Sequence, residues 1–428
     1  MRPENSCRKQ NSYPNHYLKA RTQRGSFNSS IRRRSLGMMG IEAAWTDDTD
    51  HALLIVLSYL HHNGKELSPK DVAKRLQIWV EQGLRCLDRP PCGLGRTVGT
   101  VRCPILRFDK YLAPNGSLMR THPLGVMCIS ATLPETFQIA ADYSAITHAD
   151  PRCIVSCCTV TGLIRGILRG QVLNEGNVDE IIEKAFVWVD EWVRRRASGA
   201  SGSGCTPEEN ELQEHGALLE IEEYTRHARA TSFKELELDD SQKMGYVYKT
   251  FGAAILALRL GIRQTGYEQK CRTNSTAKLP HSVIFEKVIT ELTFEGGDAD
   301  TNACVAGALL GCWFGYNSLP PQWRDGMQHV AWIAGKCEAL TQTVGVEETI
   351  SDNGLQLKYN GSKDPDTSID GGKGLMNAEG LKKRDEDFMY RYLARSKDAT
   401  EREKRRLEAS ERNQTKGVFS SLRGYLSK

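Results

Sequence analysis

Apolar residues recur three and four positions apart along most of the chain between about residue 46 and residue 343. Leu53, Leu54, Leu57 and Leu60 form one such stripe, which stops at Gly64. This spacing places apolar side chains on one face of an α-helix. Alternation with a period of two never persists over a comparable length, so the pattern predicts an all-α fold.

Helix boundaries are marked by capping residues. Ser68 before Pro69 forms an N-cap and first-turn pair, and Gly83 ends the stripe that follows. Thr132 and Glu135 have the spacing of a capping box. The same signals predict helices that begin at Pro151 and that cover about 179–196, 244–260, 283–292, 301–314 and 327–340.

These helices form one orthogonal helical domain in our interpretation, over residues 41–343. Residues 1–40 are rich in Arg, Ser and Asn without apolar periodicity, so we expect them to be disordered. The Gly/Ser-rich stretch 197–210 is typical of a flexible insertion. Residues 344–428 have few large apolar side chains, which predicts a polar and charged tail, partly disordered or a solvated helix.

Charge divides unevenly along the 428 residues. The net charge of +4 combines +8 in residues 1–40, +6 in residues 381–428 and −10 in the body between them. An acidic body argues against a nucleic-acid-binding core, because phosphate binding needs a clustered basic face. No run of about 18 uncharged apolar residues occurs, so we also expect no membrane-spanning helix.

The thirteen cysteines are odd in number, form no CxxC pair and follow no hydrophobic signal segment. This pattern favours reduced thiols over a disulfide framework or a zinc site. We therefore expect an intracellular protein, cytoplasmic or nuclear. The basic N-terminus also resembles an organellar transit peptide, but it lacks an amphipathic stripe.

Two acidic segments precede predicted helices: TDDT at 46–49 and GGDADT at 296–301. Each segment alone is typical of helix capping. Together they offer four carboxylates and, from Thr46 and Thr301, one hydroxyl at each helix entry, an oxygen-only set that suits Mg²⁺ or Mn²⁺. If the two helix starts meet in space, their repulsion requires compensation, and two divalent ions would provide it. The candidate ligands are Thr46, Asp47, Asp48, Asp298, Asp300 and Thr301.

Three further segments carry candidate binding residues. The segment 113–120 combines backbone amides, a hydroxyl and a guanidinium, and is either a simple Asn-Gly turn or a polar lip for a phosphate or ribose. The loop 93–99 has three glycines that allow close backbone approach, without a Walker or dinucleotide fingerprint. His148 precedes a predicted helix, where a histidine is either structural or in contact with a ligand.

In this order, the segments resemble the ADP-ribosylglycohydrolase family. The pairing of TDDT with GGDADT at this separation is a more specific signal than either motif alone. The matching stretches are WTDDTDHALL (45–54), CGLGRTVG (92–99), APNGSLMRTHPLG (113–125), SAITHADPR (144–152), GYVYKTFGAAILAL (245–258) and GGDADTNACVAGALLGCWFG (296–315).

The resemblance implies an all-α fold with a binuclear magnesium site, and hydrolysis of the bond between ADP-ribose and a protein side chain or small acceptor. ADP-ribose or an ADP-ribosylated protein is the implied partner. Carried over by position, the six acidic and Thr residues named above correspond to metal ligands, with Asp47 and Asp48 also catalytic. The implied substrate-binding residues are Gly93, Gly95, Thr97, Asn115, Gly116, Ser117, Met119, Arg120 and His148.

One part of the family pattern is missing. Family members normally open with a helix that carries a GDALG-type motif before TDDT, and no such motif precedes Thr46. Besides hydrolysis, this leaves open a fragment of a longer enzyme, or a relative that binds ADP-ribose with little turnover or acts as a scaffold.

Overall fold

The computed structural model describes residues 45–92, 113–199, 218–270, 280–346 and 359–391, together with scattered residues up to 408. The basic segment 1–40 and most of the predicted insertion 197–210 lie outside the described residues. Within the described ranges, extended pairing is limited to two isolated antiparallel bridges.

The predicted all-α fold is confirmed in the part of the chain that the structure describes. Short 3₁₀ turns join the helices at Arg85–Leu87, Phe233–Leu236, Tyr316–Ser318, Gly361–Lys363 and Pro365–Thr367. The helices are α1 (Asp47–His61), α2 (Pro69–Gln82), α3 (Leu118–Thr121), α4 (Leu124–Met127), α5 (Leu133–Ala145), α6 (Pro151–Leu168), α7 (Glu175–Gly199), α8 (Ile221–Ala228), α9 (Val247–Lys270), α10 (His281–Phe294), α11 (Ala299–Phe314), α12 (Pro321–Arg324), α13 (Val330–Thr343) and α14 (378–391).

Local capping signals set several of these boundaries as predicted. The Ser68 side chain accepts a hydrogen bond from the Asp71 backbone N–H, 3.4 Å away, at the start of α2. The Gly83 backbone ends that helix with a φ of 66°, which few other residues adopt without strain. At α5, the Thr132 N–H donates to Glu135 Oε2 over 2.7 Å, which is one half of the predicted capping box.

The larger apolar core surrounds α6, which packs against α5, α7, α9 and α11. By length and composition alone α6 could cross a membrane, but 89% of it is buried inside the protein. Burial on nearly all sides explains its almost continuous apolar sequence. The helix is therefore the centre of the core.

A second apolar cluster lies between α1, α2 and α13. Trp79 of α2 is fully buried in it, beside Leu57 and Leu60 of α1. Helix α1 also contacts α3 and α11, which belong to the other side of the molecule. Its N-terminus, with the TDDT segment, is therefore held between the two clusters.

The chain after residue 358 returns to this second cluster. The sequence predicts a polar tail over 344–428, whereas residues 359–376 are fixed to the body by hydrogen bonds. The Gly361 N–H donates to Asn63 Oδ1 over 2.7 Å, and the Met376 N–H donates to Gln82 Oε1 over 2.9 Å. Polar contacts rather than large apolar side chains hold this segment, which is why hydropathy alone does not indicate its docking.

An ion pair joins this segment to α13. Lys336 Nζ lies 2.5 Å from Asp364 Oδ2 and 3.1 Å from Asp366 Oδ2. The Lys336 side chain is only 9% exposed, so its positive charge is largely removed from water and is stabilised by these two carboxylates.

We expect Lys336→Met to lower the free energy of unfolding by about 2 kcal/mol, because it leaves two half-buried carboxylates without their cation. Urea unfolding measures this change, and hydrogen exchange should be faster across residues 359–376. The matched control is Lys184→Met, since Lys184 pairs with Glu180 at 2.6 Å but is 54% exposed. Equal stability of the two variants would contradict the assignment of Lys336.

Candidate active site

The two acidic segments occupy the N-termini of α1 and α11, but their side chains do not cap these helices. Thr46 and Asp298 hold the N-cap positions, and neither side chain accepts a hydrogen bond from its own helix. Thr46 Oγ1 instead donates to Asp48 Oδ2 over 2.7 Å. Asp298 Oδ2 accepts a hydrogen bond from Asn115 Nδ2 over 3.0 Å. The simple capping interpretation therefore does not describe these two side chains.

The acidic side chains of the two helix starts interact with each other. Burial first, and then the neighbouring carboxylates of Asp48, Asp300 and Asp298, raise the pKa of Asp47 to about 8. The pKa of Asp298 is raised by burial first and then by Asp300. Segments about 250 residues apart in sequence thus meet in space, as the metal-site hypothesis requires.

Asp48 is the most buried member of this acidic group, with 3% of the residue exposed. Burial raises the pKa of its carboxyl group, while the side chains of Thr301 and Thr46 oppose the change. Its Oδ1 atom is buried and, among the described residues, has no hydrogen-bond partner. An unpaired buried carboxylate oxygen is costly, and a cation or a water molecule would remove that cost. Asp300, by contrast, is exposed, so the group reaches solvent.

Glycine allows the turn before α11 to approach its neighbour. Gly297 has a φ of 68°, and a Cβ atom there would lie 1.9 Å from the carbonyl oxygen of Leu238. No residue with a side chain fits this backbone position. The glycines of GGDADT therefore set the path of the chain, and the acids that follow supply the chemistry.

The Asn115 side chain is oriented by a chain of buried polar groups. Asn115 Nδ2 donates to Thr250 Oγ1 over 2.9 Å, and Thr250 Oγ1 donates to Asn302 Oδ1 over 2.7 Å. The Asn115 N–H also donates to the Gly245 carbonyl over 3.0 Å. The motifs did not single out Thr250 and Asn302. The signal that could have found them is a polar residue at a buried position of an apolar helix, one directly after Thr301.

A second network holds the start of α1. Asp50 is fully buried and accepts hydrogen bonds from Trp45 Nε1 over 2.7 Å and from Trp79 Nε1 over 3.0 Å. Arg89 forms an ion pair with Asp50 at 3.4 Å, and its guanidinium lies 4.2 Å from the centre of the Trp45 ring. The third acid of TDDTD is thus a structural partner of two indoles, which spacing alone did not reveal.

The other predicted site residues have different positions. Gly116 is half-buried next to His148, whereas Ser117, Met119 and Arg120 are buried. The Ser117 hydroxyl accepts a hydrogen bond from Ser144 Oγ over 2.9 Å, inside the protein. These side chains are thus enclosed by the protein, and their contact with substrate stays a prediction. Gly93, Gly95 and Thr97 lie outside the described residues.

The described side chains contain no group of three or more Asp, Glu, His or Cys residues that is arranged to hold a metal ion by itself. Mg²⁺, however, usually keeps several water ligands and takes only one or two protein carboxylates. Oxygen donors dominate here, and Asp48 Oδ1 is an unpaired buried acceptor. The residues present therefore fit a hard divalent cation.

Comparison with known proteins identifies the protein family. A sequence model of the ADP-ribosylglycohydrolase family matches residues 7–349, which is most of the chain. The protein therefore belongs to the ADP-ribosylglycohydrolase family. The match includes much of the basic segment before Thr46, and it ends before the docked residues 359–376.

Two curated relatives are bacterial. The ADP-ribosylarginine hydrolase Tri1 of Serratia proteamaculans (strain 568) is 22% identical over 309 residues, covering 69% of this chain and 66% of the relative. The ADP-ribosylarginine hydrolase Tri1 of Pseudomonas putida (strain GB-1) is 23% identical over 300 residues, covering 67% and 62%. The chain thus spans slightly less than two thirds of the length of these relatives.

A solved structure described as an ADP-ribosylglycohydrolase-related protein complex aligns with a TM-score of 0.42 and 21% identity. The alignment covers 70% of this chain and 82% of that chain.

We expect the substitution Asp47→Asn to flatten the dependence of stability on pH in metal-free protein. The pKa of Asp47 is about 8 in the folded protein against an ordinary value of 3.8, so the folded state retains a proton that the unfolded chain releases. The stability linked to this proton is present below pH 3.8 and is lost as the pH rises to about 8.

Urea unfolding in the presence of a chelator, at several pH values in this interval, tests the expectation. The difference in stability between Asp47→Asn and wild type should grow in favour of the variant as pH increases. Asp190→Asn is the control, because the Asp190 side chain is 38% exposed and pairs with Arg194. Parallel curves for wild type and Asp47→Asn would show that this carboxyl group is not perturbed.

Proposed function

We propose that this protein catalyses the magnesium-dependent hydrolysis of the glycosidic bond between ADP-ribose and an acceptor. One observation carries the proposal: the acidic side chains at the N-termini of α1 and α11 lie together, and the buried Asp48 Oδ1 has no partner among the described residues. Membership of the ADP-ribosylglycohydrolase family supports the reaction class.

The proposed ligands of two Mg²⁺ ions are oxygen donors from both helix starts, and Mn²⁺ has the same preference. When bound, such ions supply positive charge that stabilises substrate oxygens and lowers the pKa of a bound water. Asn115 Nδ2 donates a hydrogen bond to Asp298 Oδ2, which helps to fix the orientation of that carboxylate. The proposed ligands are Thr46, Asp47, Asp48, Asp298, Asp300 and Thr301.

The reaction needs a base for water and a polar environment for a cation-like sugar. The water oxygen forms a bond to the anomeric carbon of the distal ribose, the bond from that carbon to the acceptor breaks, and the proton that the water gives up passes to the leaving acceptor. Asp47 and Asp48 are the proposed groups that accept the proton of the water and stabilise the positive charge on the sugar.

The acceptor is proposed to be an arginine side chain in the first instance. This choice rests on two relatives that are named as ADP-ribosylarginine hydrolases. Serine-linked and acetyl-linked ADP-ribose are the other acceptors to compare, because the described residues carry no feature that selects among the three.

The proposal is tested by incubating the protein with an ADP-ribosyl-arginine peptide in the presence of Mg²⁺ or of EDTA. Chromatography then measures the ADP-ribose that is released. We expect activity with Mg²⁺, loss of activity with EDTA, and at least about a hundredfold lower kcat for Asp298→Asn. Asp190→Asn should retain wild-type activity, because this partly exposed side chain lies on α7 and pairs with Arg194 there. The serine-linked and acetyl-linked substrates are assayed in parallel.

Calorimetry with ADP-ribose distinguishes a protein that binds ADP-ribose without hydrolysis from one that does not bind it. Binding of ADP-ribose without turnover of any of the three substrates would replace hydrolysis by the second possibility, a family member that only binds. Absence of both binding and turnover would reject the proposal altogether.

A further inference from the structure

A group of buried nitrogen atoms lies in the interior around α3. The Arg120 guanidinium is 0% exposed, and its Nη2 donates to the Tyr143 carbonyl over 3.3 Å and to Thr147 Oγ1 over 2.6 Å. Its Nε and Nη1 atoms have no hydrogen-bond partner within the described ranges. The same is true of both ring nitrogens of His51 and of Nε2 of His148. Native interiors rarely leave so many polar atoms of one neighbourhood unpaired.

The side chains of Arg120, His148 and His51 lie close to one another. Thr147 Oγ1 lies 2.6 Å from Arg120 Nη2 and 2.6 Å from His148 Nδ1, so the guanidinium and this imidazole are neighbours. His51 projects from α1, which packs against α3, and its ring meets Trp79 edge-on with centroids 4.4 Å apart. The pKa of His51 is lowered well below its ordinary value by burial and then by Arg120 and His148, which places it near both.

The charge of Arg120 is not balanced by any described carboxylate. The described ion pairs include none that involves Arg120. The Cys157 thiol interacts electrostatically with the guanidinium and would balance it only as a thiolate, but burial raises the pKa of that thiol, and its Sγ donates to Ser117 Oγ over 3.5 Å. The guanidinium remains protonated at neutral pH. A water molecule would satisfy a donor but would not neutralise this charge.

We infer that Arg120, His51 and His148 enclose a small monovalent anion, of the class of chloride. Such an ion accepts several N–H donors at once and balances the buried guanidinium. Complete burial of Arg120 favours a monovalent, single-atom ion over a phosphate, because a multiply charged oxyanion costs more free energy to remove from water. This role of Arg120 and His148 differs from substrate contact and does not depend on the proposed hydrolysis.

Thermal unfolding of the full chain tests the inference. Melting temperature is compared in sodium chloride and sodium gluconate at equal ionic strength. We expect about 3 °C higher stability in about 0.2 M chloride, with a saturable dependence on chloride concentration. Arg120→Met should abolish the difference between the two salts.

Arg165→Met is the matched control and should keep the chloride effect. Arg165 is also buried, but its guanidinium donates to the Ala131 carbonyl over 2.7 Å and to Gln171 Oε1 over 3.0 Å. A chloride effect that persists in Arg120→Met would overturn the assignment.

A crystal of wild-type protein grown with bromide gives a second readout that needs no variant. Anomalous scattering should place one bromide within hydrogen-bond distance of Arg120 Nε or Nη1. Equal stability in the two salts, or only water at this position in the bromide crystal, would reject the anion site.

Discussion

Carboxylates removed from bulk water need compensation, and this constraint dominates the region where α1 and α11 begin. Asp47, Asp48 and Asp298 all have raised pKa values because burial and mutual repulsion disfavour their charged forms. A fold that needed only capped helices would not keep these groups together. The acidic group is therefore a local cost in stability, which is typical of a functional site.

The surrounding structure keeps this unfavourable arrangement in place. On one side, the buried Asp50 accepts hydrogen bonds from two indole N–H groups and pairs with the Arg89 guanidinium. These contacts hold the first turn of α1 in place. On another side, Asn115, Thr250 and Asn302 form a hydrogen-bonded chain that ends on Asp298. Each network uses buried donors that have few alternative partners, so the acids cannot separate easily.

Much of the fold could be predicted from sequence because its helices carry local signals. Ser68 with Pro69 and Thr132 with Glu135 mark helix starts through hydrogen bonds that span three residues, and such signals need no tertiary information. Residues 359–376 show the limit of that approach. Their docking depends on contacts such as Lys336 with Asp364, between residues 28 positions apart, and hydropathy does not encode them.

The candidate site was partly predictable for the same reason. The two acidic motifs are conspicuous, yet only tertiary structure brings Asp48 and Asp298 into one electrostatic group. The burial of Arg120 was not predictable, since an arginine after an Asn-Gly turn is ordinarily assigned to the surface. Sequence patterns identify residue types and local geometry, whereas enclosure depends on packing from distant segments.

The central claim is that the N-termini of α1 and α11 form one cation site. A double-mutant cycle of Mn²⁺ binding tests it most directly, with free Mn²⁺ measured by electron paramagnetic resonance for wild type, Asp48→Asn, Asp298→Asn and the double variant. We expect each single substitution to weaken binding by at least about tenfold, and the double variant to lose little more, because both act on one site. Unchanged affinity in either single variant, or losses that multiply as for independent sites, would contradict the claim.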